Sequence, residues 1–227
     1  MRYLPILTIP TAPTAWDNIQ DIRHLDWDDV PRLPPFLLAE TGVPAEQQTA
    51  ARLCADNHRL YAHFECEDRD IWGTWYRETE DQLIRKRKIY DEEVIELFIG
   101  VANEESAPIS CYTEFEVSPN GVLLDVAVTN PNTSQDDIKI NFDWHCPNVM
   151  WHAERHDRDN RWTATLAIPW AALTDQRPIP THWRGNCYRI ERPRDGTKPE
   201  FSCWSPTMTD PAQFHQPAWF GTFIRPT

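Results

Sequence analysis

The sequence predicts an all-β chain, a jelly-roll-like sandwich of two antiparallel sheets with few short helices. Three observations predict it. Apolar and polar residues alternate with period two in several separate stretches, the pattern of half-buried antiparallel strands. Proline, Asp and Asn bound those stretches, and 20 Pro in 227 residues break up helices. Helical periodicity is scarce. The length fits one domain spanning residues 1–227.

The elements follow in order. Residues 1–48 are proline-broken and read as an opening strand plus wrapping segments. Leu60, Ala62, Phe64 and Cys66 alternate with Tyr61, His63, Glu65 and Glu67. Residues 78–89 place acids first and bases last, which complements a helix dipole, so they read as a surface helix or ordered loop. Val94, Ile95, Leu97, Phe98 and Ile99 read as a strand buried on both faces, interrupted only by Glu96. Cys111, Thr113, Phe115 and Val117 alternate with Tyr112, Glu114 and Glu116. Val122, Leu124, Val126 and Val128 alternate with Leu123, Asp125 and Ala127. Between these two strands Asn120-Gly121 is a strong hairpin signal. Trp162, Ala164, Leu166 and Ile168 form a further strand, and Pro169 opens a single helical turn through Leu173.

Composition excludes several functions. Only 7 Gly are present, scattered along the chain, so no phosphate-cradling glycine loop exists. The net charge of −13 repels phosphate backbones and disfavours nucleic acid. No run approaches a membrane-spanning length. The opening decapeptide is too short and too proline-broken for a secretory signal. The 6 Cys form no C-x-x-C pair and sit mostly in strand-like runs. Reduced thiols and a cytoplasmic protein are therefore expected, or a secreted one if a leader was removed.

Three groups of side chains carry candidate chemistry. Among the 11 Trp, Trp72 and Trp75 fall in a loop-rich region with Tyr90, whereas Trp204, Phe214, Trp219 and Phe220 cluster near the C-terminus. Aromatic faces are rigid apolar platforms, though most Trp in such a sandwich serve packing. Asp68 with Asp70, Asp91 with Glu92 and Glu93, and Asp136 with Asp137 are candidate calcium ligands or paired acids. Glu96 stands apart, because a carboxylate inside an apolar strand needs a partner or a polar pocket. His145, His152, His156 and His215 match no strong zinc spacing.

Taken in order, the motifs resemble a carbohydrate-binding module of family 9, or the family-9-like domains of the wider DOMON group. They are Leu60 to Phe64 followed by Glu67-Asp68 and Asp70-Ile71; Tyr90 to Ile99; Tyr112 to Gly121; Trp162-Thr163-Ala164 with Ala167 to Trp170; Arg184 to Arg189; Trp204-Ser205-Pro206; and Phe214 to Pro217 with Phe220-Gly221. The resemblance implies a jelly-roll-like sandwich, bound calcium (candidates Asp68, Asp70 and Asp91), and a terminal sugar clamped between two aromatic rings. By motif position Tyr90 and Phe214 stand where the family uses Trp, and Glu96 matches the carboxylate that binds sugar hydroxyls. Glu116 stands where the family has an Arg. Tyr188, Arg189 and His215 are rim candidates, and Trp72 and Trp75 extend the platform. The expected function is non-catalytic binding of a sugar or oligosaccharide terminus, associated with carbohydrate catabolism. The alternatives are a haem-binding domain using Met150, Met208 or His, a stand-alone glycoside hydrolase, and an interaction domain with a degenerate site.

Overall fold

A computed structural model of the chain describes residues 4–16, 20–75, 88–102, 108–131 and 135–226. Among these residues thirteen strands form: β1 (Ile6–Thr8), β2 (Leu37–Leu38), β3 (Thr49–Ala55), β4 (Arg59–Glu67), β5 (Val94–Val101), β6 (Cys111–Val117), β7 (Leu123–Thr129), β8 (Lys139–Asn141), β9 (Met150–His156), β10 (Arg161–Pro169), β11 (His182–Glu191), β12 (Glu200–Cys203) and β13 (Gly221–Ile224). Among the described residues the one α-helix is α1 (Trp170–Leu173), the turn that Pro169 opens. Most of the segment read as a surface helix, residues 78–87, lies outside the described residues; its end enters a 3-10 turn over Ile89–Asp91.

Two sheets face each other. The large one runs β1-β13-β11-β5-β6-β7-β8, with β12 and β2 continuing beside the later half of β11; the small one runs β3-β4-β10-β9. The predicted hairpin joins β6 to β7: Gly121 N–H donates to the Ser118 carbonyl at 2.9 Å, and Gly121 sits at φ 76, where glycine has no Cβ penalty.

The period-two pattern decides what meets in the middle. Leu60, Ala62, Phe64 and Cys66 of β4, with Trp162, Ala164, Leu166 and Ile168 of β10, pack against Ile95, Leu97, Ile99, Phe115 and Val117 of the large sheet. Trp170, Trp183 and Trp204 join this core, so these tryptophans serve packing.

The outer faces are covered too, which half-buried alternation did not predict. Trp16, Ile22, Trp27 and Val30 pack on Cys54, Tyr61 and Ala167 across the back of the small sheet. Phe214 and Phe220 pack on Phe98, Tyr112, Leu124, Val126 and Tyr188 across the back of the large one. Glu114 and Glu116, the polar half of their strand's alternation, are consequently buried. Burying an aromatic side chain stabilises by about 1.5–3 kcal/mol, which drives these segments onto the sheets.

Candidate functional site

The outer face of the large sheet holds a cavity of about 340 Å³. Register builds its floor. On β5 and β6, Glu96 pairs with Glu116 and Phe98 pairs with Glu114, so all four side chains share one face. On the other side of β5, Glu96 pairs with Tyr188 of β11. The walls come from loops and from β7 and β8: Tyr90 from the 3-10 turn, Leu124 and Val126, Ile140, and Phe214 with His215 from the C-terminal segment.

Each wall residue is held in place. Phe214 stacks on Tyr188 with ring centroids 4.2 Å apart and planes at 19°, and the Tyr188 hydroxyl donates to the Phe214 carbonyl at 2.9 Å. The His215 Nδ1 lies 2.8 Å from the Tyr112 hydroxyl, and its carbonyl accepts from Asn130 Nδ2 at 3.2 Å. The Tyr90 carbonyl accepts from Arg192 Nη2 at 3.3 Å. Arg192 in turn lies over the Phe201 ring, 5.1 Å from its centroid.

Three carboxylates meet on the floor. One oxygen from each of Glu96, Glu114 and Glu116 lies within 4.8 Å of the other two. Glu96 and Glu116 are both raised well above the ordinary carboxyl range. For Glu96 the cause is burial, then the charge of Glu114, opposed by Arg192. For Glu116 it is burial, then the charges of Glu96 and Glu114. Two full charges at this separation repel by about 3–4 kcal/mol at an effective dielectric constant of ~20, so a bare, fully ionised floor is unfavourable.

The cavity thus brings together Tyr90, Glu96, Phe214 and His215 of the residues singled out in the sequence, with Tyr188 buried directly behind Phe214. The other three lie elsewhere. Trp72 packs under Arg194, 5.9 Å from ring centroid to guanidinium carbon, and donates through Nε1 to the Arg192 carbonyl. Trp75 is 38% exposed beside the β6–β7 turn, where its carbonyl accepts from Asn120 Nδ2. Arg189 faces the opposite way from Tyr188, into the sandwich, because successive strand residues alternate sides. Its Nη2 lies 3.0 Å from Asp68 Oδ2, with both side chains fully buried. Glu114 entered the sequence reading only as a polar strand position. Its alternation with Phe115 was the available signal, but only register and cover make it part of a site.

The residues considered for a metal also separate. Asp70 is bound to Arg194 at the surface, and Asp91 sits exposed in the 3-10 turn. Asp68 instead meets Glu93 and Glu191, again with one oxygen of each within 4.8 Å. Burial, then the hydrogen bond and charge of Asp68, push Glu93 up to about 10; burial pushes Glu191 up to about 7. Glu93 Oε1 is buried with no hydrogen-bond partner. Three carboxylates and the Arg189 guanidinium would sum to −2 when ionised. Hard oxygen donors, an orphaned oxygen and that charge fit a divalent cation such as calcium.

No family model matches the chain. A protein of Arthroderma benhamiae described as an extracellular protein is 26% identical over 233 residues, covering 99% of each chain. A candidate carbohydrate-binding protein of Bacteroides uniformis superposes with a TM-score of 0.73 at 16% identity, covering 99% of this chain and 100% of that one. A family 9 carbohydrate-binding module of Caldicellulosiruptor kristjanssonii in complex with glucose gives 0.59 at 11% identity, over 98% and 96%. A family 9 module of the same organism in complex with cellotriose gives 0.61 at 11% identity, over 97% and 93%. The chain is a β-sandwich, and its fold is that of the family 9 carbohydrate-binding modules.

Proposed function

We propose that the protein binds carbohydrate without cleaving it and takes a sugar or oligosaccharide terminus into the outer-face cavity. One observation carries this reading: Tyr90 and Phe214, aromatic residues far apart in sequence, line the same cavity of about 340 Å³ with Glu96 at its floor. That volume falls within the range of small-molecule pockets, about 300–1,000 Å³. The rings offer apolar faces to the C–H face of a sugar, and Glu96 accepts hydrogen bonds from its hydroxyls. Structural likeness to modules solved with glucose and cellotriose supports the same class of ligand.

A non-catalytic role is supported by the placement of the acids. Glu96, Glu114 and Glu116 stand on one sheet face, on adjacent strands. Glycoside hydrolysis uses two carboxyl groups flanking the scissile bond. A role in carbohydrate catabolism follows if the ligand is a breakdown product. Calorimetry with glucose, cellobiose and cellotriose tests the binding, together with an assay for released reducing ends. Binding by the wild type, weakened at least tenfold in Tyr90→Ala, with no hydrolysis, is the expected result. No heat with any sugar, or unchanged affinity in Tyr90→Ala, rejects the reading.

Calcium belongs to the same proposal. Asp68, Glu93 and Glu191 would hold it beside Arg189, where the ion supplies a fixed positive charge that lets all three carboxyls ionise. That would brace the segment from Asp68 to Trp72, whose backbone N–H groups at Asp70 and Trp72 donate to Asp68 and Glu93.

We propose a cytoplasmic location, supported by Cys54, Cys66, Cys111, Cys187 and Cys203, which form no disulfide. The Arthroderma relative is described as extracellular, which points the other way. Fractionation of the producing cells, with thiols blocked at lysis, decides between them.

A further inference from the structure

The cavity floor carries more negative charge than a neutral sugar calls for. Glu96, Glu114 and Glu116 are 3%, 5% and 1% exposed. Glu114 Oε2 and Glu116 Oε2 are buried and accept no hydrogen bond. Among the described residues, no Lys or Arg lies within 4.0 Å of the three carboxylates, and the nearest cationic candidate is His215, whose Nε2 is 3.8 Å from Glu114 Oε2. Arg192 donates to the Tyr90 carbonyl and lies over the Phe201 ring, so its charge offsets that of Glu96 only in part and from a distance. Acceptors buried without donors are costly, and ionised ones more so. The floor is therefore complementary to something that brings both donors and positive charge.

We propose that the pocket selects an amino sugar, its protonated amine set among Glu96, Glu114 and Glu116 and its ring between Tyr90 and Phe214. This rests on the sugar reading of the site and names the class of sugar.

The geometry fits an ammonium group. An ammonium has three N–H donors and no acceptor, one for each carboxylate. Charge-assisted N–H···O bonds run about 2.7–2.9 Å, so three acceptors spaced tetrahedrally around one nitrogen stand about 4.6 Å apart. The three floor oxygens lie within 4.8 Å of one another, an upper limit that lets one nitrogen reach all three. A neutral sugar hydroxyl can donate to one of these oxygens but leaves the charge uncompensated, and burial together with mutual repulsion then forces protons onto the carboxyls.

A bare metal ion fits less well. Calcium takes six to eight oxygens. The cavity is lined largely by apolar side chains, among them Phe98, Leu124, Val126 and Phe214, and its volume of about 340 Å³ far exceeds that of an ion. Such walls suit a ring with an apolar face, with the cation at one end of it.

Calorimetry on the full chain tests the proposal, using glucose, N-acetylglucosamine, glucosamine and calcium chloride alone. The two neutral sugars share the ring but lack the cation. The expected result is binding of glucosamine at least tenfold tighter than either neutral sugar, with the preference reduced below threefold in Glu116→Gln. Glu114→Gln serves as the second variant, and far-UV circular dichroism checks that each is folded. Equal affinity for glucose and glucosamine overturns the inference and leaves the sugar reading standing. No binding of any sugar overturns both. Heat from calcium alone that Glu114→Gln abolishes, without any preference for the amine, overturns the inference in favour of an ion site.

Discussion

Glu96 on β5 and Glu116 on β6 stand directly opposite each other in antiparallel register, both buried on the floor of an aromatic cavity. Like charges opposite each other across strands destabilise a sheet, and burial adds to the cost. Phe98 and Tyr188 share their sheet face and Phe214 lines the same cavity, so the pair costs stability at the place proposed above for the ligand.

Stability should therefore depend on pH through this pair. Both carboxyls titrate above their ordinary value of 4.5 when folded. A group raised in this way contributes stability that is fully present below its unfolded pKa and is lost as pH rises through the folded one. Removing one carboxyl should therefore help at high pH and do little at low pH. Glu116→Gln should raise Tm by about 2–4 °C at pH 8, for ~1 kcal/mol in a chain of this size, and by much less at pH 4. Thermal melts of both proteins across pH 4–8 measure the gap, and a gap that does not widen with pH refutes the account.

The ion pair of Asp68 and Arg189 gives the opposite kind of effect. Asp68 Oδ2 also accepts from Trp162 Nε1 at 3.1 Å, and Arg189 Nη1 reaches the Glu67 carbonyl. Removing one partner strands the other as a buried charge, which costs about 3–5 kcal/mol. Arg189→Met should destabilise the fold by that amount in urea denaturation while the outer-face cavity keeps its shape. A loss of less than 1 kcal/mol would show that the pair is dispensable.

Calcium should act at the neighbouring carboxylates. If Asp68, Glu93 and Glu191 hold the ion, millimolar calcium should raise Tm by several degrees over the EDTA-treated protein, and Glu93→Gln should abolish the shift. Magnesium should do less, because it demands tighter octahedral geometry and gives up its water reluctantly. A calcium shift that survives Glu93→Gln places the ion elsewhere.

The cysteines offer a rapid check on burial. Cys111 is exposed and the other five are buried. Burial pushes the Cys54 and Cys66 thiols up to about 12, so they lack reactive thiolate at neutral pH. A colorimetric thiol reagent should titrate one group in the native protein and six in denaturant. Rapid modification of several groups under native conditions would contradict the packed core.

Much of the fold was legible because strand alternation is a local signal. Leu60 to Cys66, Phe115 with Val117, and Trp162 to Ile168 face the core as their period requires, and Asn120-Gly121 turns the chain where expected. Strands β3, β11, β12 and β13 were harder to read from alternation. In β11, Arg184, Asn186 and Arg189 interrupt the apolar pattern, and each is buried with a partner from a distant segment: Thr222, the Ser205 carbonyl and Asp68. Composition cannot reveal such partners. In the site, Tyr90, Glu96, Phe214 and His215 were reachable from motif order, whereas the contribution of Glu114 was not.

The chain's own pattern established an all-β sandwich, its main hairpin, the packing role of most tryptophans and the anomaly of a carboxylate inside an apolar strand. These depend on residues within a few positions of one another, where sterics and period suffice. Only the tertiary structure decided that Arg189 turns inward to Asp68, that Trp72 and Trp75 stand away from the cavity, and that Glu114 and Glu116 join Glu96 beneath Phe214. Those outcomes depend on strand register and on which distant segment covers the outer face. A shift of one residue would send every side chain of a strand to the other side.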